Sequence, residues 1–476
     1  MGILIFATFM DLLDVTIVQV ALPSIRTELG ATAAQLEWIV SGYMLAFAVL
    51  LVTGGRLGDI LGRQRTFLIG VGGFTLASAI GAFAVNGDML VTSRVVQGAF
   101  SAMMVPQALA TLQALFSPKE RAPIFGIIGG VGGLAAVIGP LLGGGLVTAD
   151  IAGSGWRSVF FINVPIGIVI FILAARFVPN TKSPRKARLD VPGVLLLTGA
   201  LLGILYPVIE GRALDWAAWL WFPVVGGVLL IVLFIAYERR REARDGTALL
   251  PMRLFANRGF SSGLVTQFMF QGAMNAITVV LLVYVQAALG FTALGAGLTL
   301  LPFSLGAFIG TGAAIPLGTK IGKPIVTLGA LIQAGGIVWV VAWITSAGTS
   351  LTGWTIFWPM LVTGVGLGLL IVPLIDIALA TIPIADAGSA SGVYGTFQQI
   401  GAAVGVAVSG TVFFTAVGTD FSQPNVLAAL RDSSWIAVAG YLLAALASLL
   451  LPKRSAVLAH VAEVERLAAE DLEPVA

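Results

Sequence analysis

The sequence predicts an all-α membrane protein with fourteen transmembrane helices, on three observations. Of its residues 58% are hydrophobic and only 10% charged, and the mean hydropathy of +1.00 lies far beyond that of soluble domains. The apolar residues gather into runs of about 20, which suffice for a helix to cross a hydrocarbon core of about 30 Å, and the dyad alternation of a membrane barrel is absent. The basic residues fall on alternate connections, as the charge bias of inner loops requires.

Punctuation by Gly, Pro and charge places the first eight spans at 3–25, 36–54, 66–86, 89–115, 124–148, 157–178, 192–211 and 216–237. Six more follow at 259–289, 293–317, 324–346, 354–380, 388–417 and 433–451. An even count puts both termini on one side. With that side cytoplasmic, inner segments hold 21 of the 26 basic residues, whereas Arg26, Arg157, Arg212 and Arg431 lie outside and Arg94 lies within a span. The N-terminus enters an apolar run with no basic n-region or cleavage site, so it reads as a first span and not a removed signal.

The hydrophilic stretches divide the chain as six spans, two, then six. A bundle at 1–180 is followed by two additional helices at 181–240, a cytoplasmic linker at 241–258, a second bundle at 259–452 and a polar tail at 453–476. The inner connection "GRLGDILGRQR" at 55–65 has a shorter echo, "PLGTKIGKP" at 316–324, after the second span of the last six. Related six-helix halves would produce such an echo.

Composition excludes several functions. The formal charge of +3 sits on loops and not on a basic soluble face, so no nucleic-acid partner is expected. There is no cysteine, and the only histidine, His460, lies in the polar tail. Thiolate metal sites and catalytic His dyads are therefore absent, no metal or cofactor is expected, and an enzyme is disfavoured. "GTKIGKP" does not satisfy the phosphate-loop pattern of an ATP-driven pump.

Ionisable groups inside the spans carry the functional signal, because each costs at least about 2.5–3.5 kcal/mol to insert and normally faces a partner or cavity. Asp11 and Asp14 share a face of the first span. Arg94 on the fourth is the obvious partner, and Gln97, three residues on, would orient it. An acid with a movable cationic neighbour can bind and release a proton during transport; a fixed structural pair is the alternative for Asp14 and Arg94. Asp11 is a second coupling acid or snorkels to the inner interface. Asp376, late in the twelfth span, is a further acidic site or an interfacial carboxylate. Gln19, together with stripes of Gln267, Gln271 and Asn275 on the ninth span and Tyr394 and Gln398 on the thirteenth, lines an uncharged pocket or serves as inter-helix glue.

Four stretches carry a resemblance. "GRLGDILGRQR", with Gly55, Leu57, Asp59, Gly62 and Arg63, resembles the signature loop of the major facilitator superfamily, although Ile60 stands where a basic residue is usual. "LDVTIVQVALP" at 13–23 resembles the first-helix motif of its fourteen-helix drug:proton antiporter branch, with Gln19 in place of Asn. "RVVQG" at 94–98 is similar to the fourth-helix motif associated with proton coupling. "GVGGLAAVIGPLLGG" resembles the fifth-helix antiporter motif through Gly130, Gly139, Pro140, Gly143 and Gly144.

The resemblance implies a 6+2+6 major facilitator arrangement and alternating access. It implies that Gly55, Asp59, Gly62 and Arg63 form a conformational latch, and that the fifth helix seals against its counterpart in the other half. The expected function is proton-coupled export of hydrophobic or cationic small molecules from a cell membrane, by a monomer driven by the proton gradient. A proton symporter importing a nutrient is the alternative, and a non-transporting sensor a remoter one.

Overall fold

In the computed structural model the described residues are 1–115, 135, 138–180, 190–211, 213–245, 250, 252–347, 354–379, 382, 387–418 and 422–452. Gly130, the basic stretch around Lys182 and Arg188, and the tail with His460 fall outside them. The first six helical spans are α1 (Gly2–Leu29), α2 (Ala33–Leu61), α3 (Arg63–Ala82), α4 (Gly87–Leu115), α5 (Ile138–Ala149) and α6 (Gly155–Phe177). The additional pair is α7 (Val191–Glu210) and α8 (Trp221–Asp245), and α9 is Arg258–Ala287. Two segments, Ala293–Thr299 and Leu301–Ile321, make up α10. Then come α11 (Pro324–Ala347), α12 (Phe357–Leu379), α13 (Ala387–Val417) and α14 (Gln423–Ser448). Thirteen of these spans are long and apolar enough to cross a membrane, and the described part of α5 is a shorter apolar helix.

Apolar composition makes the spans, and local chemistry sets their ends. Thr32 and Gln35 form a capping box at the start of α2, and Asn257 caps α9 through Gly259 N and Phe260 N. Pro302, near the start of the second segment of α10, has no N–H to continue the ladder, and the helix breaks at Leu300.

Three boundaries differ from expectation. The stretch 55–65 is hardly a loop: α2 runs to Leu61, α3 begins at Arg63, and the reversal is made at Gly62, whose φ of 102° favours glycine. Hydropathy had cut the helix at its polar residues, but these sit at a bundle end where backbone pairing continues. The echo repeats the device, with α10 ending at Ile321 and Gly322 turning at φ 70°. Secondly, α8 continues through the charged residues to Asp245, and Met252–Ala256 forms a 3-10 turn, so much of the expected linker is helical. Thirdly, α14 starts at Gln423, ten residues before the apolar run, because Arg431 and Asp432 ride on its exposed face.

Packing repeats with an offset of eight helices. In the first six, α2 and α3 each pack on α4, and α3 and α1 pack on α6. In the last six, α10 and α11 pack on α12, and α11 and α9 on α14. Between the sets, α1 touches α9 and the first segment of α10, and α2 lies along α13. From the additional pair, α7 packs against both α2 and α13: Trp38 Nε1 donates to Glu210 Oε1 at 3.2 Å, and Thr411 Oγ1 donates to the Val208 carbonyl at 2.6 Å.

Candidate functional site

Asp14 lies near the middle of α1 and is wholly buried. The fold surrounds its carboxylate with donors from two other helices. Arg94 Nη1 on α4 donates to Oδ2 at 2.5 Å; Gln97 Nε2 on α4 and Asn163 Nδ2 on α6 donate to Oδ1 at 3.0 and 2.7 Å. An ion pair so placed survives desolvation only because its other hydrogen-bonding capacity is also used. Arg94 accordingly donates from Nε to the Ile39 carbonyl at 3.2 Å and from Nη1 to Gln97 Oε1 at 2.6 Å. Its guanidinium carbon stands 4.2 Å from the centre of the Tyr43 ring, a cation–π contact that adds to its hold.

A second carboxylate joins through the same tyrosine. Tyr43 OH donates to Asp11 Oδ1 at 2.5 Å, and Ser101 Oγ on α4 donates to the same oxygen. Asp11 is 5% exposed, so it belongs to the helix interior and does not snorkel. Beneath Asp14, Ser78 on α3 accepts from Asn163 Nδ2 at 3.0 Å and from Gln97 Nε2 at 3.4 Å, and donates to the Phe160 carbonyl at 3.1 Å. Two acids, one arginine and five uncharged polar partners thus form one continuous network among α1, α2, α3, α4 and α6.

Sequence reasoning identified Asp11, Asp14, Arg94 and Gln97, which the structure brings together. Tyr43, Ser78 and Asn163 were not singled out. For Asn163 a signal existed, a lone amide in the apolar run "FFINVPIG"; Tyr43 and Ser78 are ordinary residues of an apolar helix, and only the packing gives them meaning. Asp376 is not part of this network. It is exposed near the end of α12.

Uncharged polar groups continue across the interface between the halves. Gln19 Nε2 on α1 donates to Asn275 Oδ1 on α9 at 3.5 Å, and Asn275 Nδ2 donates to the Gln271 carbonyl at 3.0 Å. Gln271 Oε1 is buried without a hydrogen-bond partner among the described residues. Tyr394 OH donates to Gln267 Oε1 at 2.7 Å, linking α13 to α9, and Gln398 lies half-buried one turn beyond Tyr394. These groups place uncharged donors and acceptors along the interface between the halves.

At the Gly62 end, Arg63 pairs with Asp59 at 3.8 Å and donates from Nη1 to the Ala110 carbonyl of α4 at 3.0 Å, whereas Arg65 is exposed. Gly55 faces Pro106, and Gln107 Nε2 donates to the Gly54 carbonyl at 2.7 Å. At the opposite end the described part of α5 packs against the first segment of α10. A Cβ on Gly144 would come 2.5 Å from Leu294 Cα, and one on Gly297 would come 2.8 Å from the Pro140 carbonyl carbon. The reason is steric: glycines on both helices provide the flat surfaces that backbones need to approach this closely. Leu294 N donates to Thr148 Oγ1 at 3.2 Å across the same contact. Gly139 and Gly143 face α1 at Thr16 and Ile17.

Comparison with known proteins follows the same lines. A family model described as the Major Facilitator Superfamily matches residues 4–406. The chain is 40% identical over 443 residues to a "Probable actinorhodin transporter" of Streptomyces coelicolor, covering 92% of this chain and 76% of that one. It is 33% identical to the "Tetracenomycin C resistance and export protein" of Streptomyces glaucescens, covering 89% and 79%. It is 31% identical to "Multidrug resistance protein Stp" of Mycobacterium tuberculosis, covering 89% and 77%. Among solved structures, an "auto inhibited POT family peptide transporter" superposes with a TM-score of 0.65 at 16% identity, covering 95% of this chain and 97% of that one. That likeness concerns the fold alone.

Proposed function

Since the chain belongs to the major facilitator superfamily, we infer that it works as a secondary exporter coupled to protons, with Asp14 as the coupling acid. It is a multi-pass membrane protein and a transporter, and its relatives make it an exporter of drug- or antibiotic-type small molecules. The proton-coupled reading rests chiefly on one observation, the wholly buried Asp14–Arg94 pair set among rearrangeable amides and hydroxyls.

A carboxylate held by a guanidinium is stable in one state. A proton arriving at Asp14 removes its charge, weakens the pair and frees Arg94 to shift towards the Ile39 carbonyl, Gln97 and the Tyr43 ring, which it already contacts. Asp11 provides a second proton acceptor next door. Rocking of the six-helix halves, 1–180 and 259–452, on either side of the substrate then alternates its access. The helix pair at 181–240 is carried between them, the linker 241–258 joins them, and 453–476 is a tail.

The interface amides Gln19, Gln267, Gln271 and Asn275, with Tyr394 and Gln398, suit a hydrophobic substrate by offering hydrogen bonds without a fixed charge; Asp376, exposed near the end of α12, is a further acidic site in the second half. The Asp59–Arg63 pair acts as the latch of one state, and the α5–α10 crossing limits leakage. The protein acts as a monomer in the cytoplasmic membrane with both termini inside, uses the proton gradient and needs no cofactor.

Ethidium efflux from proteoliposomes under an imposed pH gradient tests this. Gradient-driven movement by the native chain and its abolition by Asp14→Asn are expected. Undiminished driven movement in Asp14→Asn would remove Asp14 from the coupling role.

A further inference from the structure

Protonation of Asp14 raises a hydrogen-bonding problem that its surroundings answer in one place. As a carboxylate, Asp14 accepts from three donors, and each is aimed at it: Arg94 Nη1, Gln97 Nε2 and Asn163 Nδ2. As a carboxylic acid it carries an O–H of its own, which in a buried site needs an acceptor. Arg94 has only donors. Gln97 Oε1 is engaged by Arg94, and Ser78 Oγ already accepts from Gln97 and Asn163 while donating to the Phe160 carbonyl. Tyr43 OH is committed to Asp11. The remaining acceptor beside Asp14 belongs to Asn163, whose Oδ1 is fully buried and has no hydrogen-bond partner among the described residues.

We propose that Asn163 is a positioning residue that serves both protonation states of Asp14 by a half-turn of its carboxamide. The inference rests on the reading of Asp14 as the coupling acid. In the state seen here Nδ2 faces the carboxylate and Oδ1 is spare. When a proton from solvent binds Asp14, the half-turn brings Oδ1 round to accept the new O–H, and Nδ2 moves to where Oδ1 had been. The new O–H is the only covalent bond made; Nδ2 gives up its hydrogen bonds to Asp14 Oδ1 and Ser78 Oγ in exchange for the one that Oδ1 accepts, and the proton leaves by the reverse step. The titratable and charged groups around Asp14 are Asp11 from α1, Tyr43 from α2 and Arg94 from α4; α3 and α6 contribute the uncharged Ser78 and Asn163. Of the side chains that donate to Asp14, the amide of Asn163 alone has an acceptor with no partner among the described residues, whereas Gln97 Oε1 is held by Arg94.

Two measurements on the full chain in proteoliposomes test the proposal. One is the infrared difference spectrum between acid and alkaline conditions, in which the Asp14 carboxylic C=O band is assigned by its disappearance in Asp14→Asn. The other is the pH profile of gradient-driven ethidium efflux. In Asn163→Leu, similar in shape but neither donor nor acceptor, the Asp14 acid band is expected to persist at a higher frequency, and driven efflux to fall by about tenfold, the scale of one lost hydrogen bond to a charged group. Asn163→Ser, whose hydroxyl can donate or accept, is expected to restore part of both, and it keeps the test open if the leucine variant does not fold. An unmoved band and an unchanged pH profile in the variant that folds would overturn the amide's role while leaving Asp14 in place. If Asp14→Asn itself removed no band and left driven efflux intact, the coupling assignment would fall first and this inference with it.

Discussion

At Asp14 the cost of burying a charge is met by one guanidinium and two amides, so removing the guanidinium should be felt in stability as well as transport. Arg94→Ala is expected to lower unfolding stability by about 3–5 kcal/mol, the scale for an orphaned buried charge. The loss would be read as a lower melting temperature in detergent. The double variant Arg94→Ala with Asp14→Asn should regain much of that stability, since no charge is left without a partner, yet remain without driven efflux. Arg94→Lys keeps the charge but cannot reach Ile39, Gln97 and Asp14 together as the guanidinium fork does. Its driven ethidium efflux should drop at least about tenfold in correctly inserted protein. Charged members of this network were legible in the sequence because a charge in an apolar helix is conspicuous. Ser78 was not, and Asn163 showed only as a lone amide in an apolar run, since their role depends on which helices meet, and a single sequence records only positions along each one.

For the helices, the informative features are where they end and how closely they cross. Gly62 carries the whole reversal between α2 and α3 at φ 102°. Gly62→Ala is expected to cost about 1–3 kcal/mol in backbone strain, detectable as a lower melting temperature, whereas Gly55→Ala, at a helical position facing only Pro106 at 3.8 Å, should be nearly silent. The sequence suggested a loop here because glycines and charges interrupt the hydropathy. Helical hydrogen bonding ignores hydropathy at a bundle end, so α2 and α8 run on through their polar residues. At the other end, Gly144→Leu or Gly297→Leu should wedge α5 away from α10. The chain has no cysteine, so Thr148→Cys gives a label without background. Its reaction with an impermeant maleimide is expected to quicken when either glycine is also replaced, and an unchanged rate would show that the crossing does not shield this position.

Across the whole molecule, the two six-helix sets meet along α1–α9 and α2–α13 and at the α5–α10 crossing, with α7 leaning on both sets. Alternating access requires the crossing to open. A disulfide between Thr148→Cys and Leu294→Cys, whose parent residues already share a 3.2 Å hydrogen bond, should form under oxidation and stop ethidium efflux, and reduction should restore it. Efflux undiminished in the cross-linked protein would mean that this contact persists through the cycle.

What the sequence by itself determined was the solvent, the secondary structure and the number of spans, because burial of about 20 apolar residues in hydrocarbon is a local property of each segment. Its motifs also pointed to the family, and its isolated intramembrane charges to the acids and the arginine. Only the tertiary structure decided that Asn163 and Ser78 complete the Asp14 site, that α5 closes on α10, that α7 joins both sets and that Asp376 stands apart. These depend on which faces of distant helices meet, and packing between helices is set by shape at the crossing, in which lipid and protein are equally apolar and hydropathy carries no signal.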